Sequence, residues 1–118
     1  MKKFIPLFLI VLMLSSFTLN ENQVFKTALK ITVRNELGNI EEGVAIQLFG
    51  SDADYRSETN QVKETGYTDK KGQVKFKELE SKTYYILAKK GDKSNVGAGV
   101  STDKLLEGKL NKVTIIIE

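Results

Sequence analysis

Carboxylates, lysines and tyrosines are the side chains that could carry acid–base chemistry here, because the chain has no histidine and no cysteine. Without histidine, the usual general base near neutral pH and the commonest metal ligand are missing. Without cysteine there is no disulfide, no thiolate nucleophile, no thiolate metal site and no residue for lipid attachment. Serine triads, cysteine–histidine pairs and histidine-based zinc or iron sites are therefore excluded. We expect a protein that is not an enzyme and holds no cofactor.

Acidic residues could form a calcium site or a glycosidase-type carboxylate pair, and the sequence contains the full set of residues for neither. Asp52, Asp54 and Glu58 lie in one polar stretch, and Asp69 lies in a turn. Calcium takes six or more oxygen ligands, and this set lacks the following glycine and distal glutamate of a calcium loop. A glycosidase pair needs two acids across a cleft, and nothing singles out two of the fifteen acids. Ordinary loop acids and no metal site are the expectation, and binding of a cation by Asp52 and Asp54 is left open.

The net charge is less basic than it first looks. The 118-residue chain has 18 basic and 15 acidic residues, a formal charge of +3. Removal of residues 1–20 would leave 16 basic against 15 acidic residues. The charges are interspersed along the chain, as at Lys63 and Glu64, and the sequence shows no basic stripe. Nucleic acid is therefore not expected as a partner.

Large side chains at outward or rim positions are the candidates for a binding surface. They are Phe49, Tyr55, Tyr67, Tyr85 and Leu87. Exposed aromatic side chains can stack on sugars or anchor a protein partner. The alternative is that they cover the core beneath loops, since scattered apolar residues near a surface are common. A protein or a glycan is the partner that such a surface would fit.

Residues 1–20 have the three-part pattern of a cleaved secretion signal. A short basic start precedes a nearly unbroken apolar stretch over residues 4–14, and small residues follow at Ser15 and Ser16. An uncleaved anchor normally needs about 20 apolar residues, and this stretch is shorter. We therefore expect export to the periplasm or the outside of the cell, a short polar lead-in over residues 21–26, and no stable membrane span after cleavage.

From Thr27 onward, apolar and polar residues alternate with the period of two that is typical of strands with one buried face. Residues 50–61 have no such period, so we expect a loop there, with room for a helical turn over residues 55–60. Short strands with turn signals every ~8–12 residues indicate an antiparallel sandwich or barrel. Residues 27–118 are thus predicted to form one all-β domain. Its seven strands are centred on residues 29–33, 44–49, 62–68, 74–76, 84–89, 96–101 and 113–117.

Several of these stretches share one pattern. Residues 29–33, a turn with Gly38 and residues 43–48 form an opening hairpin; residues 66–79 hold a Thr-Asp-x-x-Gly turn, a strand and a leucine; and residues 84–88 follow as a tyrosine-led strand. Together they resemble transthyretin-like domains, a group that includes the carboxypeptidase regulatory-like domain and the Cna B-type repeats of bacterial surface proteins. The resemblance covers essentially the whole chain after the lead-in. It implies a seven-stranded antiparallel Greek-key β-sandwich.

The resemblance also points to a self-formed isopeptide crosslink, because Cna B-type repeats can join a first-strand lysine to a last-strand asparagine with the help of a buried acid. The family lysine would fall on Val33, two residues ahead of Asn35. Lys30 is out of phase and should face water. Asn111 precedes the last strand, and no glutamate occupies a clear inward position. We therefore expect no crosslink in this chain.

These observations favour an exported, non-catalytic structural or binding module of the carboxypeptidase regulatory-like type. Two alternatives stay open. One is a carbohydrate-binding module, because related sandwiches bind starch-like polymers. The other is an accessory domain that works in trans with an envelope enzyme, similar to the domain that follows the catalytic unit of metallocarboxypeptidases. The ligand and the oligomeric state are left open.

Overall fold

The computed structural model describes residues 26–97 and 99–118, which form a sandwich of two β-sheets. The predicted signal and residues 21–25 of the lead-in lie outside the described residues. In the part that is described, no helix is long and apolar enough to cross a membrane. The expectation of a β-sandwich is confirmed.

Strands and one short helix alternate with well-defined turns. One sheet has the strand order β4-β1-β7 and the other the order β3-β2-β5-β6. The helix lies between the second and third strands. The elements are β1 (Ala28–Asn35), β2 (Ala45–Phe49), α1 (Asp52–Ser57), β3 (Gly66–Tyr67), β4 (Gln73–Phe76), β5 (Tyr85–Lys90), β6 (Lys93–Ser94) and β7 (Leu110–Ile117).

The core lies between the two sheets and follows the alternation in the sequence. Leu29, Ile31 and Val33 of β1 are fully buried, and they pack with Ile46 and Leu48 of β2 in one cluster that joins both sheets. Successive side chains of a strand point to opposite faces. The residues between them, such as Lys30 and Thr32, therefore lie on the outer face of the first sheet.

The first and last strands lie side by side and run in the same direction, which corrects the expectation of a wholly antiparallel sandwich. β1 pairs with β7 in parallel over eight residues, from Ala28 beside Leu110 to Asn35 beside Ile117. The chain reaches this position because it runs back along β5 after β6, as the bridge between Tyr85 and Ser101 shows. Parallel neighbours need a long connection of this kind.

Of the predicted sixth strand over residues 96–101, the described residues form only the single bridge of Ser101 to Tyr85 on β5. The strand at this place is the two-residue β6, which ends at Ser94. Gly97 and Gly99 both have positive φ, a conformation that breaks a strand ladder. Instead, the side chain of the fully buried Asn95 fixes the segment to β5: its amide donates to the Ile86 carbonyl at 2.9 Å, and its oxygen accepts from the backbone of Ala88 at 3.0 Å.

The predicted third strand is shortened to Gly66 and Tyr67. Gly66 lies where the two sheets approach closely: a Cβ atom there would be 2.8 Å from a methyl carbon of Val74 and 3.1 Å from the ring of Phe76. A side chain at this position would clash, so the glycine that weakens the strand also allows the sheets to close.

Candidate functional site

Three of the five candidate aromatic and apolar residues form one small cluster on the outer face of the second sheet. Phe49 ends β2, and Tyr85 begins β5 directly opposite it. The rings of Phe49 and Tyr55 meet edge to face with centroids 6.1 Å apart, and Tyr55 and Tyr85 lie 6.5 Å apart. Such pairs are typical of stable packing. The three rings therefore pack on one another on the outer face of the second sheet, and we expect them to act as a second, smaller core.

The helix α1 closes this cluster. Ser51 caps it, because its hydroxyl accepts a hydrogen bond from the backbone of Asp54 at 3.1 Å. The helix brings Tyr55 over the sheet, where burial of the phenol raises its pKa. A six-residue helix has too few apolar residues to show a helical period, so only its capping serine signals it in the sequence.

Two of the five candidates are not exposed, although they lie on the outer face of a sheet. Phe49 is fully buried and Leu87 is almost so, yet neither belongs to the main cluster between the sheets. Strand alternation puts both on the outer face of the second sheet, and the packing there covers them. Tyr55 and Tyr85 are half-buried, whereas Tyr67 on the edge strand β3 is 63% exposed. The five side chains therefore do not form one surface.

The acidic candidates serve local structure. Asp52 pairs with Arg56 at 2.7 Å within the helix, and Glu58 pairs with Lys89 at 3.2 Å. Asp69 accepts hydrogen bonds from the backbones of residues 71 and 73 at 2.9 and 3.0 Å, and the bond from residue 73 is the main cause of its lowered pKa. In residues 26–97 and 99–118, no group of three histidine, cysteine or acidic residues could hold a metal ion.

The position on which the resemblance to Cna B-type repeats would place a crosslinking lysine is apolar. Val33 is fully buried beside Ile115 on the neighbouring β7. The polar residues buried in the described part of the chain are three threonines and an asparagine, none of which carries a charge. Asn111 is engaged elsewhere: its side-chain amide donates to the carbonyls of Ala28 and Leu106, both at 3.1 Å. Among residues 26–97 and 99–118, Val33 thus has no buried charged side chain beside it.

A network of ion pairs ties the β1–β2 connection to the β5–β6 hairpin. The carboxylate of Glu41 is 12% exposed and accepts from Lys90 at 3.0 Å and from the amide of Asn35 at 2.9 Å, and Lys93 lies 3.8 Å away. The hydrogen bond from Lys90 is the largest cause of the lowered pKa of Glu41, followed by that from Asn35. Sequence reasoning missed this network because its members are far apart in the chain.

We expect Glu41→Gln to lower the melting temperature at neutral pH. Because the pKa of Glu41 is lower in the folded state than its usual 4.5, its stabilising effect is complete above that value and is lost as pH falls through the folded pKa. Thermal melts between about pH 7 and about pH 2 should therefore show the two proteins converging in acid. The neighbouring, exposed Glu42→Gln is the control and should change little at any pH. A deficit for Glu41→Gln that is the same at every pH would contradict this role.

The outer face of the first sheet carries a basic surface that the sequence did not reveal. Lys30 of β1 lies directly between Lys75 of β4 and Lys112 of β7 in the strand register. The charges are interspersed along the sequence, which shows no basic stripe, but strand pairing brings together lysines from distant segments in the folded chain. We call this surface the lysine face. It comprises Lys26, Lys30, Lys75, Lys77, Lys109 and Lys112.

The fold is similar to domains of two bacterial pilins. The streptococcal ancillary pilin has a TM-score of 0.59 and 21% identity over 79% of this chain, and the major pilin subunit of Bacillus cereus has 0.53 and 18% over 80%. The chain spans about a third of the length of each, 32% and 30%. A scan of protein families and a search of curated proteins gave no match. At these identities the likeness shows a shared β-sandwich fold.

Proposed function

We propose that this chain is an exported, non-catalytic structural module of the carboxypeptidase regulatory-like or Cna B-like type, which works by holding other proteins together at the cell surface or in the periplasm. Three things support it. The first twenty residues read as a secretion signal, the sequence lacks the residues of the common catalytic sites, and the fold is shared with parts of two pilins. Such a module acts through its shape and its mechanical strength.

The parallel pairing of β1 and β7 is the observation that carries this proposal. The domain is entered at Ala28, beside Leu110, and left at Ile117, beside Asn35. Entry and exit therefore lie at opposite ends of one hydrogen-bonded ladder. Tension between them shears all the hydrogen bonds of the ladder at once, instead of opening them one after another. This arrangement suits a module that transmits tension between neighbours.

Most of the side chains that could bind a glycan are buried or packed on one another in the folded chain. Phe49 and Leu87 are buried, and Tyr55 and Tyr85 pack on each other. Tyr67 alone of the five is largely exposed. One tyrosine on an edge strand does not make a stacking platform, so we favour the structural role.

Single-molecule pulling tests the proposal. Because the chain has no cysteine, two introduced cysteines define the points of attachment. Lys26→Cys with Glu118→Cys applies the tension along the β1–β7 ladder. Glu36→Cys with Glu118→Cys pulls from the same end of the two strands and opens the ladder bond by bond. We expect a rupture force several-fold higher for the first pair, since forced unfolding is governed by the unfolding barrier.

The two pairs share the same core and the same overall stability, so the direction of pulling is the variable between them. Equal rupture forces would contradict a mechanical role for the ladder. Cell fractionation tests the other half of the proposal, and recovery of the protein in the cytoplasm would overturn it.

A further inference from the structure

In the described part of the chain, the last strand, β7, has one open edge. It lies at the side of the first sheet and pairs there with β1. The amide of Ala28 donates to the Lys109 carbonyl at 3.0 Å, so the odd-numbered residues along β7 bond toward β1. Glu118 bonds to the other side, where it exchanges hydrogen bonds of 3.0 and 3.2 Å with Ser94 of β6. Because bonding direction alternates along a strand, the even-numbered residues turn their backbone groups away from β1.

Four successive residues make up this open edge: Leu110, Lys112, Thr114 and Ile116. Among residues 26–97 and 99–118, no group outside the β1–β7 ladder forms a hydrogen bond with their amides or carbonyls. Such a row of N–H and C=O groups is a template for pairing with another extended chain. An extended polypeptide presents the matching row of donors and acceptors. The backbone of the edge therefore selects a peptide strand as its ligand.

A depression of about 470 Å³ lies along the first half of this edge. It is lined by residues 109–113 and by residues 102–106 of the connection that precedes β7. Two of its lining side chains, Leu106 and Leu110, are 61% and 41% exposed, and a third, Val113, packs against the main core. The depression thus offers apolar contacts to the inward side chains of an added strand.

The open edge also has a definite length. It begins at Leu110, the first residue of β7, and it ends at Ile116, because the next outward-bonding residue, Glu118, is already paired with Ser94. Antiparallel strands pair slightly more stably than parallel ones, and opposed residues of a hydrogen-bonded pair exchange two bonds. An antiparallel segment opposite residues 110–116 would therefore satisfy all four outward-bonding residues.

Lys112 sets the charge that an added strand should carry. It ends a row on the outer face in which Lys75, Lys30 and Lys112 are directly opposed. None of these three lysines forms an ion pair within the described residues. An opposite charge across a strand pair stabilises it, and a like charge destabilises it. The next row, at Thr32 and Thr114, is uncharged, so the edge favours one acid, opposite Lys112.

A second copy of β7 fits this edge less well. Pairing centred on Val113 matches all four outward-bonding residues, but it joins the lysine faces of two copies in one sheet. Pairing centred on Lys112 places two lysines directly opposite each other, which is unfavourable. Lysine on an edge strand commonly prevents self-pairing. The depression is lined by three lysines and one acid, Asp103, so its charge also favours an acidic segment over a second copy.

We propose that the open edge of β7 binds an extended, acidic segment of a partner protein as an added antiparallel strand. The segment carries a glutamate or aspartate opposite Lys112, an uncharged residue opposite Thr114 and apolar residues on the side of Val113. This inference rests on the proposed function and deepens it, because it names the chemistry by which the module holds another protein.

Amide NMR spectra of the purified protein with the end-blocked peptide Thr-Val-Thr-Val-Glu-Val-Thr test the proposal. In antiparallel register its glutamate lies opposite Lys112. We expect the amides of Lys112, Thr114 and Ile116 to shift and to gain protection from hydrogen exchange. Those of Val113 and Ile115 already bond to β1 and should change less. The same peptide with N-methyl groups on its third and fifth residues cannot donate to the edge and should leave the spectrum unchanged.

Charge reversal tests the role of Lys112. Lys112→Glu should bind the glutamate peptide about fivefold or more weakly than the wild type does, and it should prefer the peptide with lysine in place of glutamate. The matched control is Lys75→Glu, which reverses a charge in the same row two strands away and should bind like the wild type.

Thr114→Pro tests the backbone. It removes an outward N–H without taking a hydrogen bond from the β1 ladder, a position where proline is tolerated in an edge strand. We expect it to abolish peptide binding while the melting temperature stays close to that of the wild type. Undiminished binding by this folded variant would contradict pairing along the edge.

Other outcomes would also overturn the proposal. They are unchanged outward amides at millimolar glutamate peptide, equal binding of the N-methylated peptide, and equal losses in Lys112→Glu and Lys75→Glu. Amide changes caused by raising the protein concentration alone would assign the edge to a second copy instead. Peptide binding is measured without tension and without cells, so its failure is distinct from failure of the pulling or fractionation experiment.

Discussion

Phe49→Ala is expected to lower the free energy of unfolding by about 3–5 kcal/mol, the usual cost of deleting a buried aromatic ring. Phe49 is fully buried, and its ring meets that of Tyr55 edge to face. Its removal opens a cavity between α1 and the outer face of the second sheet, which the short helix cannot refill by itself. A small domain has only about 5–15 kcal/mol of total stability. Urea denaturation should therefore show a large shift of the midpoint.

Tyr67→Ala is the matched control, because it removes an aromatic ring from β3, the edge strand that pairs with β2. Tyr67 is 63% exposed and pairs with Ala45 on the edge strand. We expect the free energy of unfolding to fall by less than about 1 kcal/mol, which is the range of strand propensities among residue types. If the two substitutions lower the free energy of unfolding equally, the outer cluster is not a second core. The aromatic residues would then again be candidates for a binding surface.

The sequence predicts which side of a strand a residue occupies better than it predicts what covers that side. Alternation correctly placed Leu29 and Ile31 in the core. The same rule puts Phe49 and Leu87 on the outer face of the second sheet, and they became binding candidates for that reason. Phe49 is covered by Tyr55 of a different segment, α1, whose polar sequence shows no helical period. Burial there depends on tertiary packing that no local pattern records.

The lysine face was missed for a related reason. Alternation shows that Lys30 and Lys75 each point outward, and such lysines are unremarkable one at a time. They become a surface only when β4 and β7 are placed on the two sides of β1. The parallel placement of β7 depends on the path of the chain after β6, where Gly97 and Gly99 take positive φ and end the expected strand. Sequence patterns set the period of each strand but not the order of strands in the sheet.

Val33→Lys is the second change with a large expected effect, because it places a charged side chain at a fully buried position. Val33 is fully buried beside Ile115, and no charged residue is buried in the described part of the fold. A lysine here would be an uncompensated charge in an apolar core. We expect it to cost about 3–5 kcal/mol at pH 7, comparable to breaking a buried ion pair. The control is Thr32→Lys, which adds the same charge on the outer face and should change stability by less than about 1 kcal/mol.

The pH dependence of this loss identifies its cause. Burial favours the neutral amine and lowers the pKa of a lysine in the folded state. The penalty is then complete below that lowered pKa and fades as pH rises through it toward the unfolded value of about 10.4. Denaturation of Val33→Lys and wild type should converge between about pH 7 and about pH 10. A variant unfolded at pH 7 should regain structure in far-UV circular dichroism as the pH is raised. A penalty that does not change with pH would mean that steric overpacking, rather than charge, makes a lysine costly at Val33, and a suitably placed acid would then not rescue it.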